Sequence, residues 1–105
     1  MINLRSDHLA IVKDILHTYV PTAEVCVFGS RTRSTIKDHS DLDLVVMDEG
    51  PLDEKTIVEL KFAFEDSDLP FRVDLLDWHA ITDKFRAIID KDSVLIQPRR
   101  YSHLP

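Results

Sequence analysis

Three aspartates are spaced so that they could act together on a cation. Asp41 and Asp43 stand two residues apart in the segment DLDLVVM, and Asp74 interrupts the apolar segment VDLL. Because side chains alternate between the two faces of a β-strand, Asp41 and Asp43 are expected to project together. Neighbouring carboxylates repel one another, and magnesium, which prefers oxygen ligands, would relieve that repulsion. The spacing therefore predicts a site for two Mg²⁺ ions, which Asp74 joins from another strand of the sheet.

A glycine–serine pair upstream of these aspartates could bind phosphate. Gly29 would let the backbone approach a phosphate closely, and Ser30 offers both a hydroxyl and an amide. The helix expected after the pair, over residues 31–36, would direct its free N–H groups to the same place. Arg31 and Arg33 add positive charge within reach, although they could instead be surface cations that offset an acidic chain. The stretch predicts a pocket that holds a triphosphate between the Gly-Ser turn and the carboxylate-bound ions.

The hydrophobic pattern predicts the elements that must position these residues. Apolar residues at helical spacing favour helices, and short β-branched or aromatic segments favour strands. Helices are expected after an N-cap at Ser6, from Arg31, after an N-cap at Asp53, and from Thr82 or Asp83. Strands are expected at Glu24–Phe28, at Leu42–Met47 and over residues 71–76, whereas the type of segment 94–96 stays open. The order α-β-α-β-α-β-α predicts an α+β fold in which helices cover a small mixed sheet.

A few other residues have more than one interpretation. Asp77 could be a fourth metal ligand, but a helix cap before Trp78 is the favoured interpretation. Cys26, the one cysteine, excludes an internal disulfide and is expected to be a small buried apolar residue. The apolar residues of the last helix are expected to share one face: Phe85, Ile88 and Ile89.

Composition limits the class of protein. The chain of 105 residues suits one domain, predicted at residues 1–97, with a loosely ordered tail at 98–105. Its 13 Lys+Arg against 19 Asp+Glu give a net charge of −6, which argues against stable binding of nucleic acid. The two glycines exclude a G-x-G-x-x-G dinucleotide loop, a Walker A loop and a G-x-S-x-G nucleophile elbow. Because no apolar run exceeds about four residues, no signal peptide or membrane span is expected, and the chain is predicted to be cytoplasmic.

The order of these motifs resembles that of a known superfamily. Gly29-Ser30, followed by Asp41-x-Asp43 and a later strand aspartate, Asp74, looks like the DNA polymerase β nucleotidyltransferase superfamily. The short chain and its G-S-R-x-R form resemble the minimal nucleotidyltransferases, the MntA-type antitoxins that pair with HEPN-domain proteins. The resemblance covers roughly residues 6–96. One departure is Thr32-Arg33-Ser34, which stands where the family usually has Ala-Arg-Gly, and the missing glycine would tighten this loop.

The resemblance also implies a role for each residue. Asp41 and Asp43 would ligate both magnesium ions, while Asp74 would ligate the catalytic ion and help to deprotonate an acceptor hydroxyl. Gly29 and Ser30 would bind the phosphates of the nucleotide. The reaction implied is transfer of a nucleoside monophosphate, AMP from ATP, to a hydroxyl with release of pyrophosphate.

The acceptor is expected to come from a second protein. A chain of 105 residues is expected to have no room for an acceptor-binding domain, so we expect the acceptor on a partner protein, and both a homo-oligomer and a hetero-oligomer stay open. By resemblance that partner is a HEPN toxin modified on a tyrosine, and the chain is its antitoxin. Two alternatives stay open: an antitoxin that neutralises its partner by binding alone, and the nucleotide-binding subunit of a two-protein enzyme acting on small molecules.

Overall fold

A four-stranded mixed sheet forms the centre of the fold. The computed structural model describes residues 4–29 and 41–100. The strands are β1 (Glu24–Phe28), β2 (Leu42–Met47), β3 (Val73–Asp77) and β4 (Val94–Gln97). They lie in the order β3-β2-β1-β4, with β1 antiparallel to both β2 and β4, and with β2 parallel to β3. The helices are α1 (Ser6–Tyr19), α2 (Glu54–Glu65), a short 3₁₀ helix (Trp78–Ala80) and α3 (Asp83–Lys91).

This architecture confirms the predicted α+β class and the bounds predicted for β1 and β2. The third strand begins at Val73 and not at residue 71, because the register with β2 starts where Leu42 meets Val73. Segment 94–96, left open from the sequence, belongs to the edge strand β4. The helix predicted over residues 31–36 lies outside the described residues.

The two faces of the sheet pack against different helices. On β2, the side chains of Leu42, Leu44 and Val46 are fully buried in the larger core, which α1 and α2 complete with residues such as Leu16 and Leu60. The opposite face carries a smaller cluster of Cys26, Val45 and Ile89, the last from α3. Burial of this order supplies the main stabilising free energy, roughly 25 cal/mol for each Å² of apolar surface removed from water.

Of the four helices in the described residues, three begin at a residue whose side chain accepts a hydrogen bond from a backbone amide. Asp53 accepts a hydrogen bond from the amide of Thr56 at 2.7 Å, and Thr82 accepts one from Phe85 at 3.2 Å. Asp77 caps the 3₁₀ helix. The prediction of Ser6 as an N-cap is wrong, because the cap of α1 is the preceding residue, Arg5, whose side chain makes no capping bond. Its guanidinium instead pairs with Asp7 in the first turn, at 3.0 and 3.1 Å.

The residues that follow β4 are held against the sheet as far as residue 100. Arg99 donates a hydrogen bond to the carbonyl of Met47 at 3.2 Å, and the amide of Arg100 donates to Thr22 at 3.0 Å. The division into a domain at 1–97 and a tail at 98–105 stays a prediction. Among the described helices, none has the length and apolar character needed to span a bilayer.

The chain leaves β1 through a turn that only glycine fits. Gly29 has a φ of +78°, in the left-handed region that other residues adopt at a cost. A Cβ added there would lie 2.6 Å from Oδ2 of Asp43, well inside van der Waals contact. Both the backbone conformation and the neighbouring carboxylate therefore require the absence of a side chain.

We expect Gly29→Ala to destabilise the fold and to displace the Asp43 side chain. The left-handed conformation alone costs a non-glycine residue about 1–2 kcal/mol, and the clash with Asp43 adds to it. Chemical denaturation measures the loss. Gly50→Ala is the matched control, because a Cβ there meets no atom within 4 Å. Equal stability of the two variants would contradict this account of the turn.

Candidate active site

The sheet brings the three predicted aspartates to one face at one end. Asp43 on β2 and Asp74 on β3 are partners in the parallel register, so their Cα atoms are about 4.8 Å apart, the usual strand spacing. Asp41 directly precedes β2 and shares the face of Asp43, because the intervening Leu42 is buried in the core on the other side. The predicted juxtaposition of Asp41, Asp43 and Asp74 is present, while their catalytic and metal-binding roles stay predictions.

The surroundings of Asp43 disfavour its negative charge. Its side chain is half-buried between the neighbouring strands. Burial raises the pKa of Asp43, and the negative charges of Asp74 and Asp41 raise it further, while Arg72 acts in the opposite direction. Among the described residues, the positive charge of Arg72 is therefore not enough to offset the burial of Asp43 and the charges of its two neighbours.

Arg72 is a member of this cluster that sequence reasoning missed. Its guanidinium donates to Oδ2 of Asp41 at 2.9 Å and lies 3.5 Å from Oδ1 of Asp74, so it bridges two of the carboxylates. Interaction with Asp41 and then Asp74 raises the pKa of Arg72. The signal was available, since Arg72 precedes Asp74 by two residues and so shares its face of the strand.

The carboxylate set fits a hard divalent cation in chemistry, although the side chains are not gathered around one point. Within residues 4–29 and 41–100, no three acidic, histidine or cysteine side chains are close enough to hold a metal ion as they stand. Among the described residues, three carboxylates face a single guanidinium, which leaves a formal excess of two negative charges there, and oxygen is the donor that Mg²⁺ prefers. Binding would require Asp41 and Asp74 to give up Arg72 and turn toward Asp43.

The predicted phosphate turn adjoins the carboxylates. Phe28, the last residue of β1, is the antiparallel partner of Asp43, and Gly29 follows it directly. The Gly29 backbone therefore approaches Asp43 without an intervening side chain. The other nucleotide-binding candidates, Ser30, Arg31 and Arg33, lie outside the described residues, and their roles stay predictions.

Asp77 caps the 3₁₀ helix that begins at Trp78, which confirms the favoured interpretation of this residue. One carboxylate oxygen accepts from the amide of His79 and the other from the amide of Leu52, both at 3.0 Å. Its position three residues beyond Asp74 also turns it to the other face of β3. Asp77 is thus separated from the cluster.

Stability should depend on the charge of Asp43 in the absence of divalent ions. Because its pKa is raised in the folded state, the folded protein binds that proton more tightly than the unfolded chain does. The ionised form therefore lowers the free energy of unfolding above the raised pKa, and this cost disappears as the pH falls to about 4, the unfolded value. We expect Asp43→Asn to raise Tm by a few degrees at pH 7 and to lose this advantage near pH 4.

Thermal unfolding in a chelator across this pH range measures the effect. Asp90→Asn, which removes one exposed carboxylate from α3, is the charge-matched control and should show no comparable gain. An Asp43→Asn variant that is less stable than the parent at pH 7 would show that the carboxylate contributes more by its contacts than it costs by its charge.

Comparison with known proteins places this site in a family. The family model described as "Polymerase beta, Nucleotidyltransferase" matches residues 11–101. A protein of Haemophilus influenzae, named a probable protein adenylyltransferase MntA, is 49% identical over 98 residues, covering 93% of this chain and 86% of the relative. Both similarities span the carboxylate cluster and the Gly-Ser turn.

Solved structures share the fold at lower identity. A toxin–antitoxin structure with AMP-PNP matches with a TM-score of 0.70 at 20% identity, covering 88% of this chain and 74% of the other. A tri-AMPylated HEPN toxin in complex with an MNT antitoxin, from Shewanella oneidensis, matches with a TM-score of 0.70 at 18% identity, covering 90% and 73%. With its family-model match over most of the chain and a relative at 49% identity, the protein belongs to the polymerase β nucleotidyltransferase family and is an enzyme of that class.

Proposed function

We propose that this nucleotidyltransferase attaches AMP from ATP to a hydroxyl of a HEPN-domain partner and uses Mg²⁺ to do so. The observation that carries the proposal is the pairing of Asp43 with Asp74 on adjacent parallel strands, beside the glycine turn at Gly29. Carboxylates of this arrangement, next to a backbone that can approach phosphate, suit phosphoryl chemistry. The relative at 49% identity, named for protein adenylylation, supports the same reaction.

Each residue has a defined task in the proposed reaction. Asp74 accepts the proton of the acceptor hydroxyl, whose oxygen then forms a bond to the α-phosphorus of ATP. The bond between that phosphorus and the oxygen bridging to the β-phosphate breaks, and pyrophosphate leaves. Asp41 and Asp43, together with Asp74, would hold two Mg²⁺ ions. Bound there, the ions would offset the charge that develops on the attacking and leaving oxygens.

The surroundings of Asp74 support an acceptor hydroxyl that belongs to another molecule. β3 lies at the edge of the described sheet, so no strand of the described residues separates Asp74 from approaching molecules. A cleft of about 240 Å³ lies beside it, between α2 and β3, and its lining includes Lys61, Phe64 and Arg72. A volume below the range of most ligand pockets suits a single side chain of a partner better than a whole small molecule.

A HEPN-domain protein is the proposed partner because of what related structures contain. The Shewanella oneidensis complex joins an MNT antitoxin of this fold to a tri-AMPylated HEPN toxin. At 18% identity that complex shares the fold with this chain, and the more similar relative carries the adenylyltransferase name. By this proposal the chain neutralises its partner by modifying it.

Incubation of the chain with its HEPN partner, ATP and Mg²⁺ should add about 329 Da to the partner for each AMP transferred through a hydroxyl. Intact-mass spectrometry measures the change. The double variant Asp41→Asn with Asp43→Asn should leave the partner's mass unchanged, because the carboxylates that would hold the ions are gone. The charge-matched control, Asp14→Asn with Asp90→Asn on exposed helix positions, should transfer AMP as the parent does.

The same experiment separates this proposal from its alternatives. If the Asp41/Asp43 double variant still neutralises the partner fully, protection comes from binding alone and the modification has no part in it. If the parent consumes ATP and leaves every protein unmodified while a small molecule gains the nucleotide, the acceptor class is wrong.

A further inference from the structure

A second cleft, distinct from the one beside Asp74, lies next to the carboxylate cluster. A cleft of about 230 Å³ opens between the end of β1 and α3, lined by Phe28, Gly29, Phe85, Ile88 and Asp92. The three α3 residues recur at helical spacing and so form one stripe along the helix and its C-cap. The stripe faces the end of β1, where the chain turns at Gly29.

The two apolar residues of this stripe are exposed. Phe85 is 39% exposed and Ile88 is 60% exposed, whereas Ile89 is buried against the sheet. The three residues share one face of α3 as expected, since they are spaced three and four residues apart, but burial differs among them. α3 is oriented with Ile89 toward Cys26 and Val45 on the sheet. Phe85 and Ile88 therefore lie at the edge of the contact between α3 and the sheet. Phe85 meets Phe28 edge to face, with ring centroids 6.2 Å apart.

The cleft is contiguous with the site that would hold the triphosphate. Phe28 is the cross-strand partner of Asp43, and side chains in such pairs are about 5 Å apart at their Cβ atoms. Gly29 lines the cleft and also approaches the Asp43 carboxylate. A molecule with its phosphates at Gly29 could therefore extend into the cleft without crossing another helix or strand of residues 4–29 and 41–100.

The size and chemistry of the cleft suit a flat aromatic group. Its volume is below the range of about 300–1,000 Å³ that pockets for whole ligands occupy, so it would accept one part of a nucleotide. Exposed aromatic rings are the usual platforms on which bases stack. Asp92, at the rim, is exposed, and its carboxylate has no hydrogen-bond partner among the described residues. A carboxylate accepts hydrogen bonds and would select a base edge that donates them.

We propose that this cleft binds the purine base of the nucleotide, with Phe85 and Ile88 against the ring and Asp92 accepting a hydrogen bond from the exocyclic amine of adenine. The inference rests on the proposed function and deepens it, since it identifies the residues that select the base. An apolar side chain of the partner protein is the competing occupant, and the experiment distinguishes the two.

Binding of two probes, ATP and inorganic tripolyphosphate, both with Mg²⁺, tests the cleft separately from the phosphate site. Because stacking of a base on an aromatic ring contributes to the free energy of binding, Phe85→Ala should weaken ATP binding about tenfold. Tripolyphosphate, which has no base, should bind the parent and this variant equally. Phe62→Ala is the matched control, because Phe62 is 66% exposed on α2 and lies outside the cleft, and it should change neither affinity.

Two further variants keep the test decisive if Phe85→Ala lowers stability. Ile88→Ala truncates a side chain that is already mostly exposed, and it should weaken ATP binding severalfold with no effect on tripolyphosphate. Asp92→Asn should reduce the preference for ATP over purine riboside triphosphate, which lacks the exocyclic amine. In the parent that preference should be about threefold to tenfold, as expected for one exposed charge-assisted hydrogen bond.

Four outcomes have different meanings. Selective loss of ATP affinity in Phe85→Ala and Ile88→Ala supports the base cleft. A parent that binds ATP no better than tripolyphosphate overturns the cleft and leaves the proposed transferase intact. Unchanged ATP affinity together with weakened binding of the HEPN partner assigns the cleft to the partner and overturns the inference. Binding of neither probe by the parent overturns both the inference and the proposed function.

Discussion

The parallel register of β2 and β3 is the constraint on which the site depends, because it places two like charges, Asp43 and Asp74, directly opposite each other. The register is held from the other face of the sheet, where Leu42 and Leu44 on β2 are fully buried and Val73 and Leu75 on β3 pack against the same core. A slip of β3 by one residue would turn its apolar side chains to the opposite face of the sheet and would move Asp74 into the larger core. Hydrophobic packing on one face of the sheet thus holds Asp43 and Asp74 close together on the other face, against the repulsion between their charges.

Arg72 reduces that conflict without removing it. It pairs with Asp41 and Asp74 and not with Asp43, whose pKa stays raised because burial and the charges of Asp74 and Asp41 outweigh the effect of Arg72. The ion pairs are exposed, so they contribute little stability. They do occupy two of the carboxylates, so under the proposed function a bound cation would have to displace Arg72, and its binding would be coupled to a rearrangement of side chains.

Elements could be predicted from the sequence where the local hydrophobic pattern alone determines the structure. The prediction was less complete where contacts between distant elements determine it. Strands β1 and β2 could be delimited because β-branched and apolar residues form short runs between turns, and the joint projection of Asp41 and Asp43 follows from strand alternation. The pairing with Asp74 was inferred from the cost of an unpaired charge in an apolar strand. The start of β3, the strand character of segment 94–96 and the exposure of Phe85 and Ile88 depend on which elements pack together, and no local pattern encodes that.

Asp77 shows how a residue outside the site can govern its geometry. Its two carboxylate oxygens hold the amides of Leu52 and His79, so the end of β3 is tied both to the segment before α2 and to the 3₁₀ helix. Asp74 lies three residues away along the same extended strand, at a distance of roughly 10 Å. The axial position of β3 relative to β2 is therefore anchored at the end remote from the chemistry. Natural variation at this anchor would change the separation of Asp43 and Asp74 while the residues of the carboxylate cluster stay the same.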